Sequence, residues 1–433
     1  MLAGTSLEYT GPWDVSKITN HAIQRRITAS SKGLIETRTG NYASVQFIHL
    51  SVNDFLLRNQ RLQTLDQSLQ PDPISASHGQ LWHRCWSEIK RLISTTSSSE
   101  RDLCHLSVYH PFLQYSANYV FDHAEKALSG GAMRQEIARW LQIRDDWFEW
   151  WKAIVLTLDG RGVNAYLHTD IGVGLLYVLS LRGYPNLVAL VLAEGGGADV
   201  NAQGGSRGNA LQAACFRKNA NIVRQLLQHG ADANAQGGHH GNALQAACFG
   251  EDVGIVQLLL EHGADVNAPG GLYVNALQAA STEGDAEIVQ QLLDHGANVN
   301  AQGGDDSNIL QTAASRRDAK MMRLLLEHGA DINAQGGHYG NALQAASFEG
   351  DAEIVQQLLE HGADVNAQGG HLGNALQAAA VGGDAKTMRL LLEHGADINA
   401  LGGHYSNALQ AVSIKEYDEV VRLLLKQGAE YVS

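Results

Sequence analysis

The sequence predicts an all-α solenoid of about eight helix-pair repeats with finger loops, preceded by a mainly helical region that carries one β-hairpin. Three observations predict it. NALQ, or its variant NILQ, recurs seven times between Asn209 and Gln410, always 33 residues after the last copy. Gly230, Gly263, Gly296, Gly329, Gly362, Gly395 and Gly428 keep the same period. The first 170 residues share none of it and hold all seven tryptophans. A period in this range marks stacked supersecondary units, none of which buries its apolar face alone.

In chain order, Gly33 to Leu57 reads as a strand, a Thr-Gly-Asn turn and a second strand with apolar Val45, Phe47 and Ile48. A helix is expected to follow from Ser51 and Val52. Further on, Trp140, Trp147 and Trp151 share one helical face with Ile137 and Ile154. That face is expected to be buried against the first repeat, closing the open end of the array. A degenerate repeat comes next, with Gly174 to Tyr177 at its start and Leu187, Val188, Val191 and Leu192 in its second helix. In each full copy an Asn such as Asn242 stands at the N-cap of a short first helix. After a polar break at Glu251 and Asp252, Ile255, Val256, Leu259 and Leu260 recur at helical spacing until Gly263 supplies a left-handed stop. The Asn-, Ala- and Gly-rich stretch to Gly271 has no helical period and reads as a finger loop with a tight Gly-Gly turn.

The period, the GADVNA segment, the IV..LL second helix and the first-helix box together resemble the ankyrin repeat over roughly residues 172 to 430. The family usually writes the box as TPLH; here Asn, Ala and Gln replace Thr, Pro and His, so the cap chemistry stays while the proline that fixes the first turn is gone. The GNALQAA dialect with QGG turns is similar to arrays of fungal proteins. Phe47, His49, Ser51, Val52, Asp54, Phe55 and Leu56 form a string that resembles the end of the winged-helix segment following the NACHT module in fungal NOD-like receptors. Tyr109 to Ala127 resembles the helical connector that leads into the repeats of such proteins. The resemblance implies a winged-helix-like remnant over 1–70, a connector over 71–170 and an ankyrin array over 171–433. GxxxxGK[ST] is nowhere present, so no nucleotide is expected.

The formal charge of −14 lies wholly in the second part, where 14 Lys and Arg face 28 Asp and Glu; the first 170 residues hold 17 of each. An acidic array repels phosphate backbones, which argues against nucleic acid and favours a protein partner, a basic segment above all. No apolar run approaches the ~20 residues of a membrane helix, and the N-terminus lacks a secretory pattern. A cytoplasmic protein is expected, with the nucleus left open.

Chemistry has little support. There is no GxSxG, HExxH or CxxC, and the repeated Asp residues recur as scaffold, so neither an enzyme nor a cofactor is expected. Cys215 and Cys248, in successive repeats about 8–10 Å apart, are too distant for a disulfide. His229, His262, His295, His328, His361 and His394 recur at the same spacing, too wide for one metal ion, and are expected to meet the last carbonyls of each second helix. His239, His338, His371 and His404 lie on the fingers, where recognition is the alternative.

What varies among near-identical repeats is the guide to a partner. The finger tips read Arg207, His240, Tyr273, Asp306, Tyr339, Leu372 and Tyr405; the outer ends of the first helices carry Phe216, Phe249 and Phe348, with Arg217 and Arg316 beside them. On the concave side these residues would line a groove about 60–80 Å long at one helix spacing per repeat, with aromatic anchors of the kind that dominate interfaces. The leading expectation is a non-enzymatic adaptor or sensor. A receptor fragment without its nucleotide switch is the alternative, and an enzyme in the N-terminal region comes third.

Overall fold

The computed structural model describes residues 35–38, 44–47, 73–95, 113–131, 133–142, 147–158, 173–194, 198–303, 308–413 and 417–431. The chain divides into two compact units, 1–165 and 166–433.

In the first unit, β1 (Ile35–Arg38) pairs antiparallel with β2 (Ser44–Phe47), Ile35 opposite Phe47 and Arg38 opposite Ser44. This is the hairpin that the alternating sequence calls for; the helix expected near Ser51 lies outside the described residues. Among the described residues four helices follow: α1 (Pro73–Thr95), α2 (Leu113–Ser129), α3 (Arg134–Leu141) and α4 (Trp147–Leu158). The tryptophan face divides between α3 and α4, and it meets aromatic partners within its own unit. Trp140 packs on Trp82 and Trp86 of α1 at 5.7 and 5.6 Å, and Phe121 of α2 meets Trp151 edge-on at 4.9 Å. Trp151 also donates its indole N–H to the Ala117 carbonyl at 2.7 Å. Large aromatic surfaces supply most of the apolar burial between these helices, and Trp151 also satisfies its polar handle.

The second unit is eight helix pairs. They run α5 (Leu175–Arg182) with α6 (Pro185–Glu194), α7 (Ala210–Phe216) with α8 (Ala220–Gln228), α9 (Ala243–Phe249) with α10 (Val253–Glu261), and α11 (Ala276–Glu283) with α12 (Ala286–Asp294). The last four pairs are α13 (Ile309–Ser315) with α14 (Ala319–Glu327), α15 (Ala342–Glu349) with α16 (Ala352–Glu360), α17 (Ala375–Gly382) with α18 (Ala385–Glu393), and α19 (Ala408–Ser413) with α20 (Asp418–Lys426).

Each boundary follows from a named residue. Asn209, Asn242, Asn275, Asn308, Asn341 and Asn374 accept from the backbone N–H of the box Gln three residues on. Such caps are worth ~1 kcal/mol each over alanine. The second helices from α10 to α18 are capped by Asp252, Asp285, Asp318, Asp351 and Asp384. Gly263 ends α10 at φ 79°, and the N–H of Ala264 reaches back to the Leu259 carbonyl at 3.0 Å. Small first-helix residues such as Ala246, Ala247, Ala345 and Ala346 are buried between successive repeats, while Ile255, Val256 and Leu259 fill the space beneath. That division lets the first helices approach closely, and the branched residues supply most of the apolar burial.

Candidate partner-binding surface

The box glutamine, which replaces the family's histidine, binds each finger to its neighbour. Gln344, fully buried, donates from Nε2 to the carbonyls of Ala367, Gly369 and Gly373 at 3.3, 3.3 and 2.7 Å. Gln212 and Gln377 do the same one repeat onward each time. A second column is asparagine: Asn234 donates Nδ2 to the Gly263 carbonyl and accepts from the Asp265 N–H, and the same two bonds recur from Asn201 to Asn399. Sequence reasoning treated this Asn as loop composition; its strict period was the available signal that it carries a contact.

Close approach of backbones makes glycine necessary at the turn. Gly271 has φ 65°, and a Cβ there would strike the backbone of His240 in the preceding finger; Gly370 stands likewise against Tyr339. Among the described residues the column is stitched by a backbone bond between successive fingers. The N–H of His371 reaches the His338 carbonyl at 2.9 Å, and that of His404 reaches His371 at 3.0 Å.

This spacing alters the expected groove. Equivalent rings of adjacent repeats on this side lie 6.1 Å apart for Phe216 and Phe249, and 5.3 and 5.0 Å apart along the histidines of the fingers. At a strand-like ~5 Å per repeat the strip is roughly 30–40 Å long, about half the 60–80 Å expected from helix spacing.

The tips fold back onto the ends of the first helices. Arg207 lays its guanidinium 3.6 Å from the centre of the Phe216 ring and donates to Nε2 of His240 at 2.8 Å. His240 is buried, packed between Phe216 at 5.5 Å and Phe249 at 4.8 Å, and burial first, then Arg207, lowers its pKa to about 4. Tyr273 stacks on Phe249 at 6.0 Å and donates its hydroxyl to Glu283 at 3.2 Å; Tyr339 lies 5.5 Å from Phe348. Both phenols are held above their ordinary range, first by burial and then by Glu283 and Glu349 respectively.

Leu372 and His240 are therefore supports beneath the strip rather than exposed contacts. Phe216, Phe249, Phe348, Tyr273, Tyr339, Tyr405 and Arg207 are half-buried, and Arg217 and Arg316 are exposed. Asp306 lies outside the described residues.

The other readings also acquire positions. The second-helix histidines direct Nδ1 to a carbonyl of their own last turn, as His262 does to Leu258 and His361 to Gln357, at 2.8 and 2.7 Å. Cys215 and Cys248 are buried free thiols with pKa raised by burial. In the first unit, His123 is buried between His78 and Tyr115, bonded to each at 2.8 Å, and burial followed by His78 lowers its pKa to about 4. Nearby Cys85 is pushed up to about 11 by burial, the opposite of an activated nucleophile. Among the described residues, no helix is long and apolar enough to cross a membrane.

A family profile for ankyrin repeats matches in three copies, over residues 175–269, 276–369 and 343–433. No curated protein sequence matches the chain. Among solved structures, the ankyrin repeat domain of Bcl-3, described as a unique member of the IkappaB protein family, is similar at 27% identity and a TM-score of 0.46, covering 51% of this chain and 99% of its own. The human ASB11 ankyrin repeat domain is similar at 23% identity and a TM-score of 0.46, covering 52% and 99%. With the profile matched across more than half of its length, the chain belongs to the ankyrin-repeat family.

Proposed function

We propose that this protein is a non-enzymatic adaptor or sensor whose ankyrin array binds a protein partner along the strip of finger tips and first-helix ends. Ankyrin repeats are protein-interaction modules in general. The observation that carries the specific reading is where the repeats differ. Their Asn, Gln and Gly columns are held by contacts between neighbours, whereas Arg207, Tyr273, Tyr339, Tyr405, Phe216, Phe249, Phe348, Arg217 and Arg316 change identity along the strip. Tyr, Phe and Arg are the residues best suited to anchor an interface. The array's 14 basic against 28 acidic residues make a basic segment the favoured partner. Replacing Tyr273, Tyr339 and Tyr405 together by alanine in the full chain should abolish partner capture from cell extract while the variant keeps the helical circular dichroism of the parent. Capture equal to the parent protein sinks the assignment.

A second reading is a sensing fragment of a fungal NOD-like receptor, in which the repeats detect a ligand and a lost nucleotide module would signal. What favours it is the β1–β2 hairpin, the element a winged-helix remnant requires. An in-frame P-loop upstream in the full transcript would support it, and its absence would favour the adaptor.

A further inference from the structure

The fingers of the last three full repeats carry His338, His371 and His404 at one position, with rings facing one another. Their centres are 5.3 Å apart between His338 and His371 and 5.0 Å between His371 and His404, with interplanar angles of 18° and 21°. All three side chains are exposed. They differ from the second-helix series, whose Nδ1 atoms are each committed to a helical carbonyl. The backbone bonds from His371 to His338 and from His404 to His371 fix the spacing of the backbones that carry the rings. The column does not extend through the preceding fingers: Leu272 holds this position after His239, so that histidine has no imidazole above it.

From these distances we infer that the finger column is a binding site for a divalent transition-metal ion of the zinc, nickel or copper class, held by two adjacent imidazoles that share His371. Two imidazoles on one ion at about 2.0–2.1 Å per Zn–N bond place their ring centres roughly 4.5–5.3 Å apart, for ligand angles between the octahedral and tetrahedral values. Both pairs fall in that interval. In the apo arrangement the rings stack, and turning a nitrogen of each into the gap takes rotation about χ2, a soft torsion for an exposed imidazole. An imidazole-only donor set selects these metals over magnesium or calcium, which need oxygen. Water completes the coordination, since among the described residues no group of three or more His, Cys, Asp and Glu is arranged to hold a metal ion. The end rings are too far apart to share an ion with each other, so one column takes one ion. Occupancy would clamp two neighbouring fingers together along the strip proposed to bind a partner; the metal site itself stands without that reading.

The test uses the full chain, stripped of metal with a chelator and titrated with ZnCl2 by calorimetry, alongside Cu2+ electron paramagnetic resonance for nitrogen coupling. The expected result is about one strong site per chain with two-nitrogen coupling, weakened roughly tenfold or more by His371→Gln, which removes a ligand from both pairs. His338→Gln and His404→Gln each leave one pair and should retain binding, whereas the double variant H338Q/H404Q should behave like H371Q. His361→Gln, on the second-helix series, should change nothing. Zn2+ affinity unaltered by H371Q, or weakened equally by H361Q, overturns the site. Partner capture after chelation is a separate measurement, so failure of the adaptor reading leaves this result intact.

Discussion

Replacing Gln344 with methionine removes an amide while keeping an unbranched chain of similar volume, so the change tests the polar column with little repacking. The Gln344 amide serves three carbonyls; its two hydrogens give one strong bond at 2.7 Å to Gly373 and a shared one at 3.3 Å to Ala367 and Gly369. Gly373 keeps a second donor, the N–H of Gly369 at 2.8 Å. Two net bonds at ~1 kcal/mol each, with a further penalty for a carbonyl left unsatisfied, give a loss of about 2–3 kcal/mol. Among the described residues, the equivalent Gln278 donates to the Thr312 hydroxyl at 2.9 Å. Gln278→Met should therefore cost only about 1 kcal/mol. At ~2–4 °C per kcal/mol for a domain of this size, the two variants should melt about 2–8 °C apart, with Q344M the lower. Circular dichroism on parent and variants reads the difference. Equal losses at the two positions would refute the idea that this amide, rather than the helix alone, binds finger to finger.

Val274 adopts φ 68° where the matching positions are Gly208, Gly241, Gly340 and Gly373, so Val274→Gly should stabilise the array by about 1 kcal/mol in urea unfolding, the relief of left-handed strain exceeding the entropy that glycine adds. Gly271→Ala should cost about 3 kcal/mol or more, since the new methyl meets the His240 backbone at a positive φ. His240 remains neutral down to about 4 in the fold while an unfolded histidine protonates near ~6.5, so the array loses stability as pH falls through that window and levels off below it. His240→Phe should flatten that dependence in melts taken between pH 7 and 4. In the first unit, Trp140→Ala should cost about 3–5 kcal/mol, visible as loss of near-UV circular dichroism at lower denaturant.

The repeats were legible because their signals are local. A cap three residues before its acceptor, apolar positions at helical spacing and a glycine stop all lie within one copy, and each stands where the period places it. The second-helix histidines were legible for the same reason, since each meets a carbonyl four residues earlier in its own helix. The failures all concern contacts between distant segments. The helical face of Trp140 shows that something meets it and not what; Trp82 and Phe121 come from segments whose sequences give no sign of the meeting. Leu372 and His240 look like exposed loop residues until the finger folds back on the helix ends.

The strip length failed for a reason that also bears on function. Helix packing at ~8–10 Å sets the expectation for stacked repeats, but a finger has no side chain between its Gly-Gly turn and the preceding backbone, so the finger column closes to strand-like contact. Helix bulk separates one edge of each repeat while glycine admits the next at the other. Side chains on the glycine edge are brought within ring contact of their equivalents, which isolated loops of the same composition would not achieve. The glycines must therefore stay constant for the tips to act together, and the tips are free to vary because the backbone carries the contact. Constancy of Gly271 and Gly370 beside variation at Tyr273 and Leu372 has one geometric cause: the close backbone contact demands glycine at the turn and leaves the tip side chain open to change.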